Sequence, residues 1–194
     1  MSKGEDTKQK ILQNALVLFS KQGYAQTSIR DIALKVKIKA PSIYAYFSSK
    51  EELFESVADD VMSDYLNFVR QKATDIIGLS KVDKLYTFTE QIIEYLYEKD
   101  LAYFVIRYSV DPPDQFKDAI LQRFNEVDEE IKKLIRDIIK PELDNYINVE
   151  TIISSFFCIL DGLLLSIGNS SREECEIRLK ATWDVFSRGI NKNH

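Results

Sequence analysis

A chain of 194 residues has room for one large domain or two small ones, and 45% hydrophobic with 29% charged residues is a globular composition, not a disordered one. The net charge of −5 speaks against a nucleic-acid binder only until the chain is divided. Residues 1–50 hold nine Lys/Arg and three Asp/Glu, a net of +6, and the remaining 17 Lys/Arg and 28 Asp/Glu leave residues 51–194 at −11.

Helical signals run along the whole chain and strand signals are almost absent. Ile11, Leu12, Ala15, Leu16 and Phe19 share one stripe, and Gly23 is a stop just after it. Thr27 or Ser28 can cap the next helix, in which Ile29, Ile32, Ala33 and Val36 repeat at helical spacing. A turn through Val36-Lys37-Ile38 leads to a third, short helix with Pro41 in its first turn, where a missing N–H costs nothing. Ile43 and Phe47 share its inner face. Ser49 with Glu52 reads as a capping box, so a fourth helix starts at Lys50 and runs to Gly78, roughly 40 Å. That helix starts in the basic head and ends in the acidic body, which makes it the mechanical link between them.

A fifth helix follows Ser80, and a shorter one from about Leu101 is broken by Asp111-Pro112-Pro113-Asp114. Asp114 is expected to cap a long helix closed by Pro141. Asn148 opens a helix that is apolar on most sides, and Ser171 with Glu174 forms a second capping box before the last one. The fold class is all-α, with about nine helices. The expected organisation is a basic head over 1–50 and an acidic helical body over 51–194.

Catalytic chemistry finds no footing. The single histidine is His194, so a nucleophile–histidine pair has no internal base. Cys158 and Cys175 are isolated, which excludes zinc spacing and a disulfide framework, and no phosphate-binding glycine motif occurs. No metal and no cofactor are expected. The first ten residues lack the apolar core of a signal peptide, and the run Phe156–Ile167 is interrupted by Asp161 and short for a bilayer, so a cytoplasmic location is expected.

Three short helices joined by tight turns are the layout of a helix-turn-helix unit, whose third helix enters the DNA major groove. Ala40, Ser42 and Ala45 are left outward-facing and small on that helix, which lets its backbone come close to the bases. Tyr44 and Tyr46 carry hydroxyls suited to phosphate oxygens, although Tyr44 can equally be half-buried core. Lys50, at a helix start, can share a phosphate with free N–H groups, and Lys37 and Lys39 form a basic rim.

In the body, the helix from Asn148 to Ile167 is too apolar for one wet face. Burial against a second chain or a place at the centre of a monomer would each satisfy it, and Gly162 would allow close approach. The candidate dimer residues are Ile153, Phe157, Leu160, Gly162, Leu164, Trp183 and Phe186. Aromatics are dense between Tyr86 and Tyr108, and a ligand pocket, if they are not plain core, is expected among Tyr95, Tyr103, Tyr108, Phe124 and Phe156.

Thr27-Ser28-Ile29-Arg30-Asp31-Ile32-Ala33, then Pro41-Ser42-Ile43-Tyr44-Ala45-Tyr46-Phe47, then Ser49-Lys50-Glu51-Glu52-Leu53 closely resemble the TetR family of bacterial transcriptional regulators. The likeness covers about residues 5 to 60. It implies an all-α homodimer whose last two helices form a four-helix bundle with their symmetry mates, and a palindromic double-stranded DNA operator. It also implies a small-molecule effector that releases the protein from DNA. By the same likeness, Ala40, Ser42 and Ala45 with Arg30 and Lys39 would face base edges, while Thr27, Ser28, Tyr44, Tyr46 and Lys50 would hold phosphates. A dimeric activator, or a helical sensor that no longer reads DNA, are the alternatives. Two positions depart from the family pattern: Val36-Lys37 stands where a small residue and glycine are usual, and Tyr46 where histidine is usual. Lys37 is therefore expected in a left-handed conformation at a cost of roughly 1 kcal/mol.

Overall fold

The computed structural model describes residues 3–75, 78–99, 101–139 and 148–190. Among them are nine α-helices and no strand: α1 (Lys3–Gln22), α2 (Ile29–Val36), α3 (Ala40–Ile43), α4 (Lys50–Asp75), α5 (Lys81–Glu98), α6 (Ala102–Val110), α7 (Lys117–Ile139), α8 (Val149–Asn169) and α9 (Arg172–Ile190). Most starts follow the capping chemistry of the sequence. Ser80 Oγ accepts from the Asp83 N–H, Asn148 Oδ1 from the Glu150 N–H, and Ser171 exchanges both bonds of a capping box with Glu174.

Asp114 departs from its expected role. It opens a single 3-10 turn, Asp114–Phe116, and α7 begins only at Lys117. Pro112 and Pro113 hold the preceding backbone extended, and the tighter turn brings Phe116 into the core before the α-helix can start. The expected stop at Pro141 lies outside the described residues.

The chain packs as two compact units, 1–64 with 103–124 and 65–102 with 125–194. The unit that holds the basic head thus reaches past residue 50 and takes in α6 and the start of α7. Its centre is aromatic. Phe54 is fully buried, with the rings of Phe19, Tyr24, Tyr108 and Phe116 at centroid distances of 5.1, 4.9, 5.1 and 5.0 Å. Around that cluster α6 closes the end of α1. The Tyr108 hydroxyl donates to the Phe19 carbonyl (2.9 Å) and Arg107 Nε to the Ser20 carbonyl (3.1 Å). These carbonyls belong to the last turn of α1, where the Phe19 carbonyl also accepts from the Gly23 N–H (3.0 Å). Gly23 follows at φ 86°, a left-handed stop that leaves the Arg107 guanidinium room to lie beside it.

The second unit is built on the inward stripes of α5, α7, α8 and α9: Leu85, Phe88, Ile92 and Leu96; Val127, Ile131 and Ile135; Ile153, Phe156, Leu160 and Leu163; Leu179 and Trp183. The apolar stretch of α8 proves longer than the run from Phe156, because Val149, Ile152 and Ile153 extend it. Over 21 residues, at a mean hydropathy of 1.9, α8 is long and apolar enough to cross a membrane by length and composition. Here its inner face packs on α9 and α5.

Candidate nucleic-acid interface

The head positions its outer surface through three local devices. Ser28 caps α2: its Oγ accepts from the Asp31 N–H (3.2 Å) and donates to Asp31 Oδ2 (2.6 Å), while the Ser28 N–H donates to the same carboxylate (3.0 Å). These bonds, the Ser28 hydroxyl first, hold the Asp31 carboxyl below the usual range. Lys37 then ends α2 at φ 62°, ψ 41°, the left-handed conformation expected of it. Its N–H donates to the Leu34 carbonyl (3.2 Å) and the Ile38 N–H to the Ala33 carbonyl (3.0 Å), a Schellman-type closure that aims the chain into α3.

The α3 helix is shorter than its pattern promises. Four residues are helical, and Tyr44, Ala45 and Tyr46 continue as turn, held by the Tyr46 and Phe47 N–H groups on the Ile43 carbonyl (2.9 and 3.0 Å). Ile43 and Phe47 anchor this turn, at 0% and 2% exposure. Outward stand Lys39, Ser42, Tyr44 and Ala45, with Arg30 exposed on α2 and Ala40 and Tyr46 half-buried. Tyr44, at 55% exposure, is the more open of the two tyrosines.

Two expected phosphate contacts sit elsewhere. Thr27 is inside the protein at 1% exposure, and its hydroxyl donates to the Gly23 carbonyl (2.8 Å). A buried hydroxyl must be partnered, and this one locks the α1–α2 turn. Lys50 turns its ammonium onto the face of Tyr24, 4.1 Å from the ring centroid, and partial burial lowers its pKa. The Tyr24 hydroxyl donates to Glu51 Oε1 (2.7 Å) and accepts from Gln115 Nε2 (3.1 Å); burial, then the Glu51 bond, push its pKa up to about 12. The α4 capping box is also altered. Ser49 Oγ accepts from the Glu52 N–H (3.1 Å), but the Glu52 carboxylate takes the Ser48 N–H and hydroxyl instead of Ser49.

The expected pocket residues divide between the two units. Tyr103, Tyr108 and Phe124 belong to the unit of the head, where Tyr103 is exposed and Tyr108 is sealed against α1. Tyr95 and Phe156 are buried in the other unit, Tyr95 stacked on Phe68 at 4.1 Å. A cavity of about 400 Å³ opens instead between α5 and α9, with Tyr86, Tyr97, Ile93, Cys175 and Leu179 in its lining. Three of the seven expected dimer residues face inward. Ile153, Leu160 and Trp183 are buried in the chain's own core, Phe157, Leu164 and Phe186 are half-buried, and Gly162 alone lies fully outside, with nothing within 4 Å of where a Cβ would stand. The exposed large apolar side chains of α8 and α9 are Leu165, Ile177 and Val185 (51, 59 and 73%). Their signal was a second stripe at i, i+4, i+8 through Ile177, Ala181 and Val185, hidden beside the stronger first one.

A short anchored helix carrying small and tyrosyl side chains outward, behind a capped helix and on a basic head, defines a helix-turn-helix DNA-binding regulator. Residues 11–57 match the model of the bacterial regulatory proteins of the tetR family. The biofilm operon icaADBC HTH-type negative transcriptional regulator IcaR of Staphylococcus aureus (strain Newman) is 30% identical over 129 residues, 66% of this chain and 67% of that protein. Solved folds agree over nearly the full length. A putative TetR-family regulator from Mesorhizobium loti superposes with a TM-score of 0.72 at 19% identity, over 97% of this chain and 98% of the other. FadR of Bacillus subtilis, in complex with stearoyl-CoA, gives 0.74 at 16% identity over 94% and 99%. The chain belongs to the tetR family; it is a DNA-binding transcriptional regulator and not an enzyme.

Proposed function

We propose that the protein is a cytoplasmic, homodimeric repressor that holds a palindromic operator and leaves it when a small molecule binds the body. The observation that carries the reading is the outer surface of α3, where Ser42, Tyr44 and Ala45 face solvent between Lys39 and Arg30 while Ile43 and Phe47 fix the helix from behind. Ser42, Ala45, Lys39 and Arg30 read base edges, with Ala40 at the rim. Tyr44 and Tyr46 hold phosphates, and Ser28 and Lys50 join them by leaving Asp31 and the Tyr24 ring. The negative regulator IcaR supports repression, and the acyl-CoA in the FadR structure supports a small-molecule effector. The exposed stripe of α9, with Leu165 on α8, supports the dimer, which would set two heads about 34–36 Å apart for successive major grooves.

Footprinting of the DNA flanking its own gene tests the reading. Protection of a two-fold symmetric site is expected, and Lys39→Ala should weaken binding while Ser42→Ala changes preference among sequences. No protection at low salt across that region would overturn it.

A further inference from the structure

The cavity between α5 and α9 is built in a way that selects a chemical class of ligand. Near the start of α5, Tyr86 meets Trp183 with ring centroids 5.5 Å apart; near its end, Glu94 and Tyr97 meet Arg172 at the start of α9. The two helices therefore run antiparallel, and a tyrosine stands at each end of the cavity, three helical turns or roughly 16 Å apart. Ile93, Cys175 and Leu179, all buried, form its floor. About 400 Å³ accommodates a fused-ring compound with a short side chain.

The polar groups are mostly acceptors. Gln91 Oε1 and the Tyr97 hydroxyl are buried without a hydrogen-bond partner, a rare condition in a protein interior. The Cys175 sulfur beside the Tyr97 hydroxyl is a weak partner at best. At the mouth are Glu90, Glu94 and Glu176 with Arg172 and Lys180. Arg172 is occupied by two carboxylates, Glu94 in a short pair and Glu176 at 3.6 Å. Glu90 and Lys180 have no ion-pair partner among the described residues, on opposite walls. The mouth is net acidic, and it belongs to a body whose sequence carries −11. Such a field concentrates cations and repels anions.

Building on the ligand-responsive reading, we infer that this cavity is the effector site and that it takes an amphipathic organic cation, a fused-ring body bearing a protonated amine. The ring lies between Tyr86 and Tyr97, where its faces meet apolar and aromatic surface. The ammonium donates to Gln91 Oε1 with Glu90 as its counter-charge. A coenzyme A thioester, the kind of ligand FadR holds, would bring its phosphates against the carboxylates of this mouth.

Calorimetric titration of the full-length protein with naphthylethylamine and with naphthylacetate, the same ring with opposite charge, tests this. The amine is expected to bind at least about tenfold tighter. Glu90→Lys, at an exposed position, should weaken the amine about tenfold and narrow or reverse the preference, and Lys180→Ala should strengthen it. Leu179→Trp, which fills the floor, should remove binding of both. Equal or tighter binding of naphthylacetate would overturn the inference, as would an amine affinity untouched by Glu90→Lys or by Leu179→Trp. A gel shift on the footprinted operator separates the two readings. Amine that binds in the cavity and leaves operator affinity unchanged keeps the site and overturns its effector role. A protein that holds its operator and takes up no amine keeps the DNA-binding reading and overturns the site.

Discussion

The two compact units use aromatic side chains in opposite ways. Around Phe54 the rings of Phe19, Tyr24, Tyr108 and Phe116 interlock, and the polar tips of Tyr24 and Tyr108 are hydrogen-bonded. Between α5 and α9 the rings of Tyr86 and Tyr97 stand at the two ends of a cavity, and the Tyr97 hydroxyl has only the weak Cys175 sulfur beside it. The first arrangement ties α1, α4 and α6 together within one unit. The second leaves surface and hydrogen-bonding capacity unused, which suits a site for a ligand. Tyrosine therefore closes the packing around Phe54 and borders open space between α5 and α9, and the partners of its polar end tell the two places apart.

Truncation is the most forceful way to break this comparison. Phe54→Ala should cost about 3–5 kcal/mol, because a fully buried ring leaves a cavity its rigid neighbours cannot close. Tyr86→Ala should cost no more than about 1 kcal/mol, since its ring already borders empty space. Urea denaturation of both variants gives the answer, and equal losses would show the α5–α9 rings to be structural. The two sides of α8 and α9 offer a similar contrast. Val185→Asp, on the exposed stripe, should halve the mass seen in sedimentation with helicity unchanged, whereas Leu160→Ala, on the buried one, should lose about 2–5 kcal/mol of stability.

A pH titration sharpens the comparison on the side of the second unit. Burial pushes the Asp128 carboxyl up to about 6, with the Asp161 carboxylate adding to the rise against the pull of Lys132. With a folded pKa above the unfolded one, the stabilisation is complete below the unfolded value near 4 and is lost as pH rises through 6. Asp128→Asn should remove that dependence and gain about 1.5 kcal/mol at pH 7.5, a figure discounted for the partial exposure of the group. Denaturation midpoints between pH 4 and 8 check it; a slope that survives in the variant would place the titration elsewhere.

What was legible in the sequence was local. The caps at Ser28, Ser80, Asn148 and Ser171, the proline in the first turn of α3 and the left-handed Lys37 depend on neighbours within a few residues, and each is found where the pattern puts it. Local readings also slipped by a few residues at Asp114, at Glu52 and at the end of α3, and the larger departures depend on partners distant in the chain. Periodicity assigns Leu160 and Trp183 to an apolar stripe but cannot say whether the stripe meets its own core or another surface. Thr27 and Lys50 have the residue types of phosphate ligands, yet a carbonyl four residues back and a ring twenty-six residues back claim them. The cavity is less legible still, because it arises from the fit of two helices and not from either helix alone.

Lys37 gives the finest of these tests, because backbone strain and side-chain charge at this position are read by different measurements. At φ 62° a Cβ crowds the following carbonyl, so Lys37→Gly should relieve roughly 0.5–1 kcal/mol of strain, less whatever entropy the glycine gains in the unfolded chain. The exposed ammonium of Lys37 flanks α3 and belongs to the basic rim. Its loss should lower DNA affinity by a similar factor on every sequence and reduce the salt slope by about one. A variant with a higher melting temperature and uniformly weaker DNA binding would show that charge, and not turn geometry, keeps lysine at this position. A changed sequence preference would instead mean that the strained turn sets the angle at which α3 meets the bases.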